Sequence, residues 1–305
     1  MNRAQLELFV QVAETGSFTR AGEKLNITQP AVSRSISALE NELGVRLMIR
    51  DRRQGLMLTD IGSRLLVQSR VILKQFEQME QLVAAEKGLE IGKIRIGSFP
   101  MTSTHLLPRV IRDIRERYPG IEFDLREGTV NDIREWLDQR EIDVGLIIAS
   151  EQGEFESIPL LEEEMQLVCR DDHALASETV LSIRQLEGVA FIICNGGYEV
   201  PIYDIFRRSK AGLNVSFTVH NVNACLNMVQ EGLGVALLPT MLLAGLPAEL
   251  KAIKLEPKIY REVDLALPSF AEASSATKLF VETVQRLYGR SGRSGSNNVI
   301  QNGLM

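Results

Sequence analysis

The sequence has few of the residues that build metal sites or disulfides. Its 305 residues include three histidines and three cysteines, Cys169, Cys194 and Cys225. The cysteines are widely separated and none belongs to a CxxC pair, so neither a disulfide framework nor a zinc site is expected. We interpret them as buried free thiols, and oxidation sensing through Cys194 is the alternative left open.

Long hydrophobic runs are also absent. Apolar residues make up 45% of the chain, yet no run of about 18 of them occurs that could span a bilayer. The N-terminus lacks the basic and then apolar pattern of a secretory signal. We therefore expect a cytoplasmic protein with no membrane partner, and its length is enough for two domains.

Positive charge is in the minority, since the chain has a net charge of -6. This balance at first argues against a nucleic-acid partner, because phosphate binding needs a basic surface. The charge is uneven, however: residues 1–60 hold eight Lys and Arg against seven Asp and Glu, so the acidic excess lies in the remainder. A local basic patch near the N-terminus is therefore compatible with DNA binding.

The sequence motifs of common catalytic sites are missing as well. The chain contains no GxSxG elbow, no phosphate-binding loop, no GxGxxG after a strand and no His or Cys at metal-ligand spacing. An enzyme remains the rival hypothesis, because α/β clefts support many reactions. These absences disfavour it, and we expect no catalytic residue, no metal and no cofactor.

Three short helices are predicted at the N-terminus. Asn2 is a capping residue for the first, and Thr28 and Pro30 begin the third. Gly16, Asn26 and Gly44 follow the last apolar residue of each helix, where left-handed caps are common. The helices are expected from Arg3 to Thr15, from Thr19 to Leu25 and from Gln29 to Leu43. Three such helices are typical of a helix-turn-helix, although an inert helical bundle has the same pattern.

The third helix carries side chains suited to reading DNA. Its apolar residues, from Val32 to Leu43, recur on one stripe and leave the other faces free. Arg34 can donate two hydrogen bonds to a guanine edge and Gln29 can pair with adenine, while Ser33 and the helix N-terminus can hold phosphate. The candidate DNA-binding residues here are Thr28, Gln29, Pro30, Ser33, Arg34 and Ser37.

A hairpin with a basic tip is predicted after the third helix. Leu47 to Ile49 and Leu56 to Leu58 read as its strands. We expect Arg50, Arg52 and Arg53 to contact phosphates or a minor groove, although a solvated turn is the usual fate of such a charge run. The hairpin would be the wing of a winged helix-turn-helix.

A long helix is predicted from about Asp60 to Lys87, with Thr59 as its cap. Its apolar residues recur at spacings of three, four or seven, as a coiled-coil seam requires. A seam of this kind needs a second copy of the chain. The seam residues are Ile61, Leu65, Ile72, Phe76, Met79 and Val83.

From Lys93 onward strands and helices alternate, which predicts two successive parallel α/β subdomains with a cleft between them. A helix is expected from Leu106 to Tyr118, after a hydroxyl-rich loop. Ligands bind at the carboxyl ends of parallel strands, and loops there that begin helices with hydroxyls favour an anion such as a carboxylate. Few acidic residues occur in them, which disfavours a metal or polyamine. The candidate effector residues are Ser98, Met101, Thr102, Ser103, Thr129, Asn195, Gly197, Tyr198, His220 and Asn223.

Plain helix caps and turns are the alternative for each of these residues, and a lone histidine such as His220 is more often a structural histidine than a ligand contact. The segment from residue 290 to residue 305 is polar, rich in Gly and Ser and without periodicity. We expect this tail to be disordered.

Several motifs together resemble the LysR-type transcriptional regulators. They are Leu6-x2-Phe9-x2-Val12-Ala13-x2-Gly16-Ser17-Phe18, then Gln29-Pro30-Ala31-Val32-Ser33, Leu39-Glu40-x3-Gly44-Val45, Leu58-Thr59-x2-Gly62, and the later Gly232-x-Gly234-Val235. The similarity extends to about Tyr288. Gly22 and Met48 depart from the alanine and phenylalanine usual in the family, which affects packing and removes no DNA contact.

The resemblance implies a multi-domain chain of α and α/β parts. It divides into a winged helix-turn-helix at 1–59, a linker helix at 60–88 and an effector domain at 89–289 that is similar to a periplasmic binding protein. The subdomains of that domain are expected at about 93–160 plus 265–289 and at 161–264. The implied partners are an inverted-repeat DNA operator, a small-molecule effector and further copies of the chain, in a homodimer or homotetramer. RNA polymerase is a candidate partner.

Exchanging one arginine at a time separates base reading from phosphate binding. Arg34→Ala should cost about 1 to 3 kcal/mol at specific sites and flatten the sequence preference, because it removes a contact to a base edge. Arg52→Ala should weaken binding to all DNA similarly. Affinity measurements on specific and random DNA check both, and equal losses on the two DNAs for Arg34→Ala would contradict the base-reading role.

Overall fold

The computed structural model describes residues 1–51, 55–86, 91–149, 155–195, 199–243 and 245–289. They form two compact units, one of Met1–Gly92 with Asp138–Glu141, the other of Lys93–Leu137 with the described residues from Ile142 onward. In these ranges no helix is long and apolar enough to cross a membrane. Several predictions fall outside them, namely those on Arg52, Arg53, Gly197, Tyr198 and the tail at 290–305.

The first unit has the predicted succession of helices and hairpin. Asn2 caps the first helix by accepting the Gln5 backbone N–H at 3.0 Å, and Gly16 and Gly44 end their helices with positive φ of 60° and 70°. The cap prediction for Thr28 is wrong in one respect, since its side chain makes no capping hydrogen bond. The elements are α1 (Arg3–Thr15), α2 (Phe18–Leu25), α3 (Gln29–Leu43), β1 (Met48–Asp51), β2 (Gly55–Leu58) and α4 (Asp60–Glu86).

Gly22 has a steric reason to be glycine. A Cβ at this position would lie 2.6 Å from the carbonyl oxygen of Ile27, in the turn between α2 and α3. The same turn is closed by the Ile27 N–H, which donates to the Gly22 carbonyl at 2.9 Å. The departure at position 22 therefore permits a close turn between the second helix and the third.

One apolar core holds the helices and the hairpin of the first unit together. Phe9 and Val12 of α1, Val32 and Leu39 of α3, and Leu47 before β1 are completely buried in it. In the hairpin Met48 pairs with Leu58 and Asp51 with Gly55, in antiparallel register. The predicted apolar stripe of α3 is thus confirmed as its packing face.

The second unit alternates strands and helices over 92–148 and again over 190–239, as predicted, but it also contains strands at Val180–Ser182, Leu250–Glu256 and Ile259–Leu267 that the sequence pattern did not reveal. The predicted loop after Phe99 is wrong at Pro100–His105, which forms a short helix. Its strands are β3 (Gly92–Ser98), β4 (Ile121–Glu127), β5 (Val144–Ile148), β6 (Glu156–Arg170), β7 (Val180–Ser182), β8 (Ala190–Cys194), β9 (Asn214–Val219), β10 (Ala236–Pro239), β11 (Leu250–Glu256) and β12 (Ile259–Leu267). Its helices are α5 (Pro100–His105), α6 (Leu107–Arg117), α7 (Val130–Asp138), α8 (Glu199–Ser209), α9 (Val222–Gln230) and α10 (Ser275–Tyr288).

The prediction of an entirely parallel layout is wrong, because strands in the middle of the main sheet run antiparallel to their neighbours. The main sheet has the order β4-β3-β5-β12-β6-β11-β7, with β10 also on β6, and β8 and β9 pair separately. The pairs β3 with β5 and β8 with β9 are parallel, whereas β12 runs antiparallel to both β5 and β6. A period of two along a strand predicts its faces but not its direction, which here depends on partners about 100 residues away.

Candidate DNA-binding surface and effector site

One side of α3 is polar and open, and the other is packed into the core of the first unit. The Nε atom of Arg34 donates to the Pro30 carbonyl at 3.3 Å, one turn back along the open side. Because a helix fits the major groove, this side can present donors and acceptors to base edges. The structure brings together on it, exposed or half-buried, the predicted residues Thr28, Gln29, Pro30, Ser33, Arg34 and Ser37.

A recess of about 250 Å³ adjoins this side, between the start of α2, the start of α3 and β2. Ser17 caps α2 there by accepting the Arg20 backbone N–H at 3.4 Å. A helix N-terminus with hydroxyls favours phosphate. Sequence analysis missed this group, although Gly16-Ser17 marks a helix start. Residues around the recess are Gly16, Ser17, Phe18, Thr19, Gln29, Gly55 and Leu56.

The wing is described at its base and not at its tip. Arg50 belongs to β1, but its side chain, like Arg52 and Arg53, lies outside the described part of the chain. The DNA contacts predicted for this basic cluster therefore stay a prediction. β1 begins at Met48, shortly after α3 ends at Leu43, and β2 ends at Leu58, just before α4 begins at Asp60.

The linker helix α4 exposes much of its predicted seam in the single chain. Ile61, Ile72, Met79 and Val83 are between 38% and 57% exposed, and Leu82 is 63% exposed. Phe76 is half-buried, with the Arg3 guanidinium 5.4 Å from its ring centre. An apolar stripe of this length on a helix of 27 residues is the pattern that coiled-coil pairing buries.

The first group of effector candidates lies where β3 and β4 end. The Ser98 carbonyl accepts the Gly128 N–H at 3.0 Å, which holds the two strand ends together. The Ser98 and Thr102 hydroxyls are 2.6 Å apart and buried, and Thr102 also donates to the Phe99 carbonyl at 2.9 Å. These hydroxyls are thus bonded internally through the turn of α5, and Met101 is buried beside them.

Two other members of this group differ in their surroundings. The Ser103 hydroxyl oxygen is buried and has no hydrogen-bond partner among the described residues. Thr129 is exposed and forms the cap of α7, where its N–H and hydroxyl both donate to Asp132 Oδ2, at 2.8 and 2.7 Å. These bonds lower the pKa of Asp132. The Thr129 hydroxyl therefore has a capping role as well as its predicted one.

The second group lies where β8 and β9 end. The Asn195 N–H donates to the Val219 carbonyl at 2.7 Å, and His220 follows directly. His220 and Asn223 are exposed. The cap of α9 is Asn221, whose side chain accepts the N–H groups of Asn223 and Ala224 at 2.8 and 3.3 Å. The parallel pairing of β8 and β9 thus places Asn195, His220 and Asn223 at one sheet end, as predicted.

A buried arginine lies beside Phe99, near the first group, and sequence analysis missed it. The Arg261 side chain on β12 is completely buried, and its guanidinium carbon lies 5.9 Å from the Phe99 ring centre. At the end of β8, burial raises the pKa of Cys194 and the charge of Arg261 opposes that rise. The Arg261 Nε donates to Glu163 Oε2 on β6 at 3.1 Å, while Glu163 Oε1 is buried and lacks a partner in the described residues. An isolated arginine in an alternating strand gave no signal of this role.

The three cysteines are buried free thiols, as predicted. Burial raises the pKa of Cys194 to about 12, with a smaller contribution from Glu199, and burial likewise raises the pKa of Cys225 to about 12. Burial also raises the pKa of Cys169. Since the thiolate is the form that reacts with oxidants, these surroundings disfavour the hypothesis of oxidation sensing through Cys194. In the described ranges no group of His, Cys, Asp and Glu is placed to hold a metal ion.

The first unit is a helix-turn-helix with an open polar face, followed by a hairpin and a long helix with an apolar stripe. The second is an α/β unit with polar loops at its strand ends. Together these features define a DNA-binding regulator with a sensor domain. Residues 4–63 match the bacterial regulatory helix-turn-helix protein, lysR family, and residues 87–288 match the LysR substrate binding domain. The chain belongs to the LysR family of transcriptional regulators. It is accordingly a DNA-binding regulator with an effector-binding domain and not an enzyme.

Relatives with similar sequences cover nearly the whole chain. The uncharacterized HTH-type transcriptional regulator YvbU of Bacillus subtilis (strain 168) is 49% identical over 291 residues, which are 95% of this chain and 99% of that protein. The DNA-binding transcriptional dual regulator OxyR of Escherichia coli (strain K12) is 29% identical over 244 residues, 79% of this chain and 80% of that one.

Solved structures show the same fold. A full-length OxyR variant from Pseudomonas aeruginosa has a TM-score of 0.74 at 21% identity, covering 93% of this chain and 95% of that one. Full-length CbnR in complex with its target DNA has a TM-score of 0.62 at 21% identity, covering 94% and 99%. The predicted fold class, a winged helix-turn-helix with a LysR effector domain, is thereby confirmed.

The raised pKa of Cys194 predicts slow thiol chemistry. With a pKa of about 12, roughly one Cys194 in 10⁵ carries a thiolate at pH 7. Iodoacetamide should therefore label native Cys194 at least about a hundredfold more slowly than the same residue in urea-unfolded protein. Labelling followed by peptide mass spectrometry measures both rates.

Cys194→Ser provides the control for this prediction. The variant should bind DNA as the parent does, before and after treatment with hydrogen peroxide. Rapid labelling of native Cys194, or a peroxide response that Cys194→Ser abolishes, would restore the oxidation hypothesis.

Proposed function

We propose that the chain acts as a homodimer that reads an inverted-repeat operator, with α3 in the major groove of each half-site. The observation that carries this proposal is the open side of α3, where Gln29, Ser33 and Arg34 lie opposite the buried stripe. Arg34 and Gln29 supply contacts to base edges. Contacts to the DNA backbone come from Ser33, together with Thr28, Pro30 and Ser37. A two-fold dimer would read an inverted repeat, with one half-site for each copy of α3.

The recess beside α3 and the wing extend this surface onto the DNA backbone. Ser17 and Thr19 at the start of α2 are additional candidate phosphate contacts, supported by their place around the recess. Arg50, Arg52 and Arg53 of the wing supply further phosphate or minor-groove contacts. The exposed apolar seam of α4 supports pairing of two copies, and pairs of dimers would form the tetramer. RNA polymerase remains a candidate partner, and the cytoplasm the expected location.

The effector domain at 89–289 is proposed to have two subdomains, at about 93–160 plus 265–289 and at 161–264, and to bind a small carboxylate where β3, β4, β8 and β9 end. Ser103 and Thr129 on one side, and Asn195, His220 and Asn223 on the other, supply polar groups. The position of buried Arg261 near Phe99 and Cys194 supports an acidic ligand, because guanidinium groups suit carboxylates. Ser98, Met101, Thr102, Gly197 and Tyr198 complete the proposed site.

Footprinting across the DNA upstream of its own gene and of the divergent neighbour tests this function. The full-length protein should protect an inverted repeat with half-sites about one helical turn apart, or a multiple of it. One member of a panel of small carboxylates should change the length of the protected region or the bending of the DNA. Absence of specific protection at moderate salt on every fragment would contradict the role given to α3.

Arg261→Lys then tests the effector site, since lysine keeps the charge beside Glu163 and loses the planar fork of donors. The active carboxylate should be needed at a concentration at least about tenfold higher, while DNA binding without it is unchanged. Lys258→Gln is the matched control, because it removes an exposed charge paired with Glu164 near the same strand. An unchanged response of Arg261→Lys would exclude Arg261 from the site.

A further inference from the structure

A buried carboxylate connects the recognition helix to the base of the wing. Glu40 belongs to the packed side of α3 and is 7% exposed. Its Oε1 accepts two backbone N–H groups, from Leu47 at 2.7 Å and from Met48 at 3.1 Å. Arg46 Nη1 lies 3.5 Å from the other oxygen, with its side chain 81% exposed. The main donors to this carboxylate are thus the two residues at which the wing begins.

The opposite edge of the same backbone segment is bound to the linker helix. The Leu47 carbonyl accepts the Thr59 N–H at 3.0 Å, and the Thr59 hydroxyl donates to the Arg46 carbonyl at 2.8 Å. The Gly62 N–H donates to that hydroxyl at 3.0 Å. A Cβ on Gly62 would lie 2.1 Å from the Leu47 carbonyl oxygen, so only glycine permits this approach. Leu47 is therefore held by α3 through its N–H and by the start of α4 through its carbonyl.

We propose that Glu40 is a positioning residue for DNA recognition, which sets the place of the wing relative to the recognition helix without touching DNA itself. The inference rests on the proposed contact of the wing with DNA. A carboxylate that accepts two backbone N–H groups in a buried site has strong and directional hydrogen bonds. Removal of the acceptor leaves two buried donors without partners, which the segment can relieve by moving. The base of the wing then shifts relative to α3, and any contact of the wing with DNA shifts with it.

The test uses the full-length protein and its footprinted operator. Glu40→Gln keeps the shape and one acceptor but loses the charge, and Glu40→Leu removes the acceptor. The salt dependence of binding is the decisive measurement, because each lost phosphate contact lowers the slope of log K against log salt by about 1. A merely structural role would reduce the folded fraction and leave this slope unchanged.

We expect Glu40→Gln to bind about three- to tenfold more weakly at 0.1 M salt, to lower the slope by about 1 and to weaken the protection on the wing side of each half-site. In this background Arg52→Ala should have little further effect, since the contact is already lost. Glu40→Leu should show the larger loss. If it does not fold, Glu40→Gln decides the question, because it keeps the packing. Glu42→Gln, an exposed carboxylate of the same helix, is the matched control and should behave as the parent.

Two outcomes overturn the proposal, and they are distinguishable. If Arg52→Ala lowers the slope in the parent while Glu40→Gln keeps the parental slope and footprint, the wing contacts DNA and Glu40 does not position it. If neither variant changes slope or wing-side protection, the proposed contact of the wing with DNA fails as well.

Discussion

The hydrogen bonds around Leu47 determine how the DNA-binding parts of this regulator are arranged. A single residue of backbone is bonded on one edge to the recognition helix, through Glu40, and on the other to the start of the linker helix, through Thr59. Gly62 allows the linker helix to approach that backbone closely. Because buried polar groups are costly when unpaired, the three elements are constrained to move together. A displacement of the linker helix would then move the recognition helix and the wing together with it.

The effector domain depends on a comparable buried polar pair. Arg261 and Glu163 lie on adjacent antiparallel strands, with Arg261 paired across from Glu163 in the strand register. Removing one partner of such a pair leaves an uncompensated buried charge, so the pair fixes which side chains face the interior. Its neighbours, Phe99 and Cys194, are next to the strand ends that carry the polar loops.

The sequence predicted the parts of the fold that local signals determine. Caps at Asn2, Gly16 and Gly44 gave the helix bounds, and short apolar runs between turn residues gave the wing and most strands. It did not predict α5, which is short and begins with Pro100 in a segment rich in hydroxyls, or the strands β7, β11 and β12. It also missed the buried contacts of Glu40 and Arg261. Their partners lie 7 and 98 residues away, so each resembles an ordinary surface charge in the sequence.

Native-state hydrogen exchange of the Leu47 and Met48 amides tests most directly whether the recognition helix, wing and linker helix form one constrained body. If the bonds to Glu40 hold in solution, both amides should exchange within about a factor of ten of the slowest amides of α3, because they would open only when the whole unit unfolds. Exchange as fast as that of exposed turn amides, with α3 still protected, would show that the wing moves independently and would contradict the account.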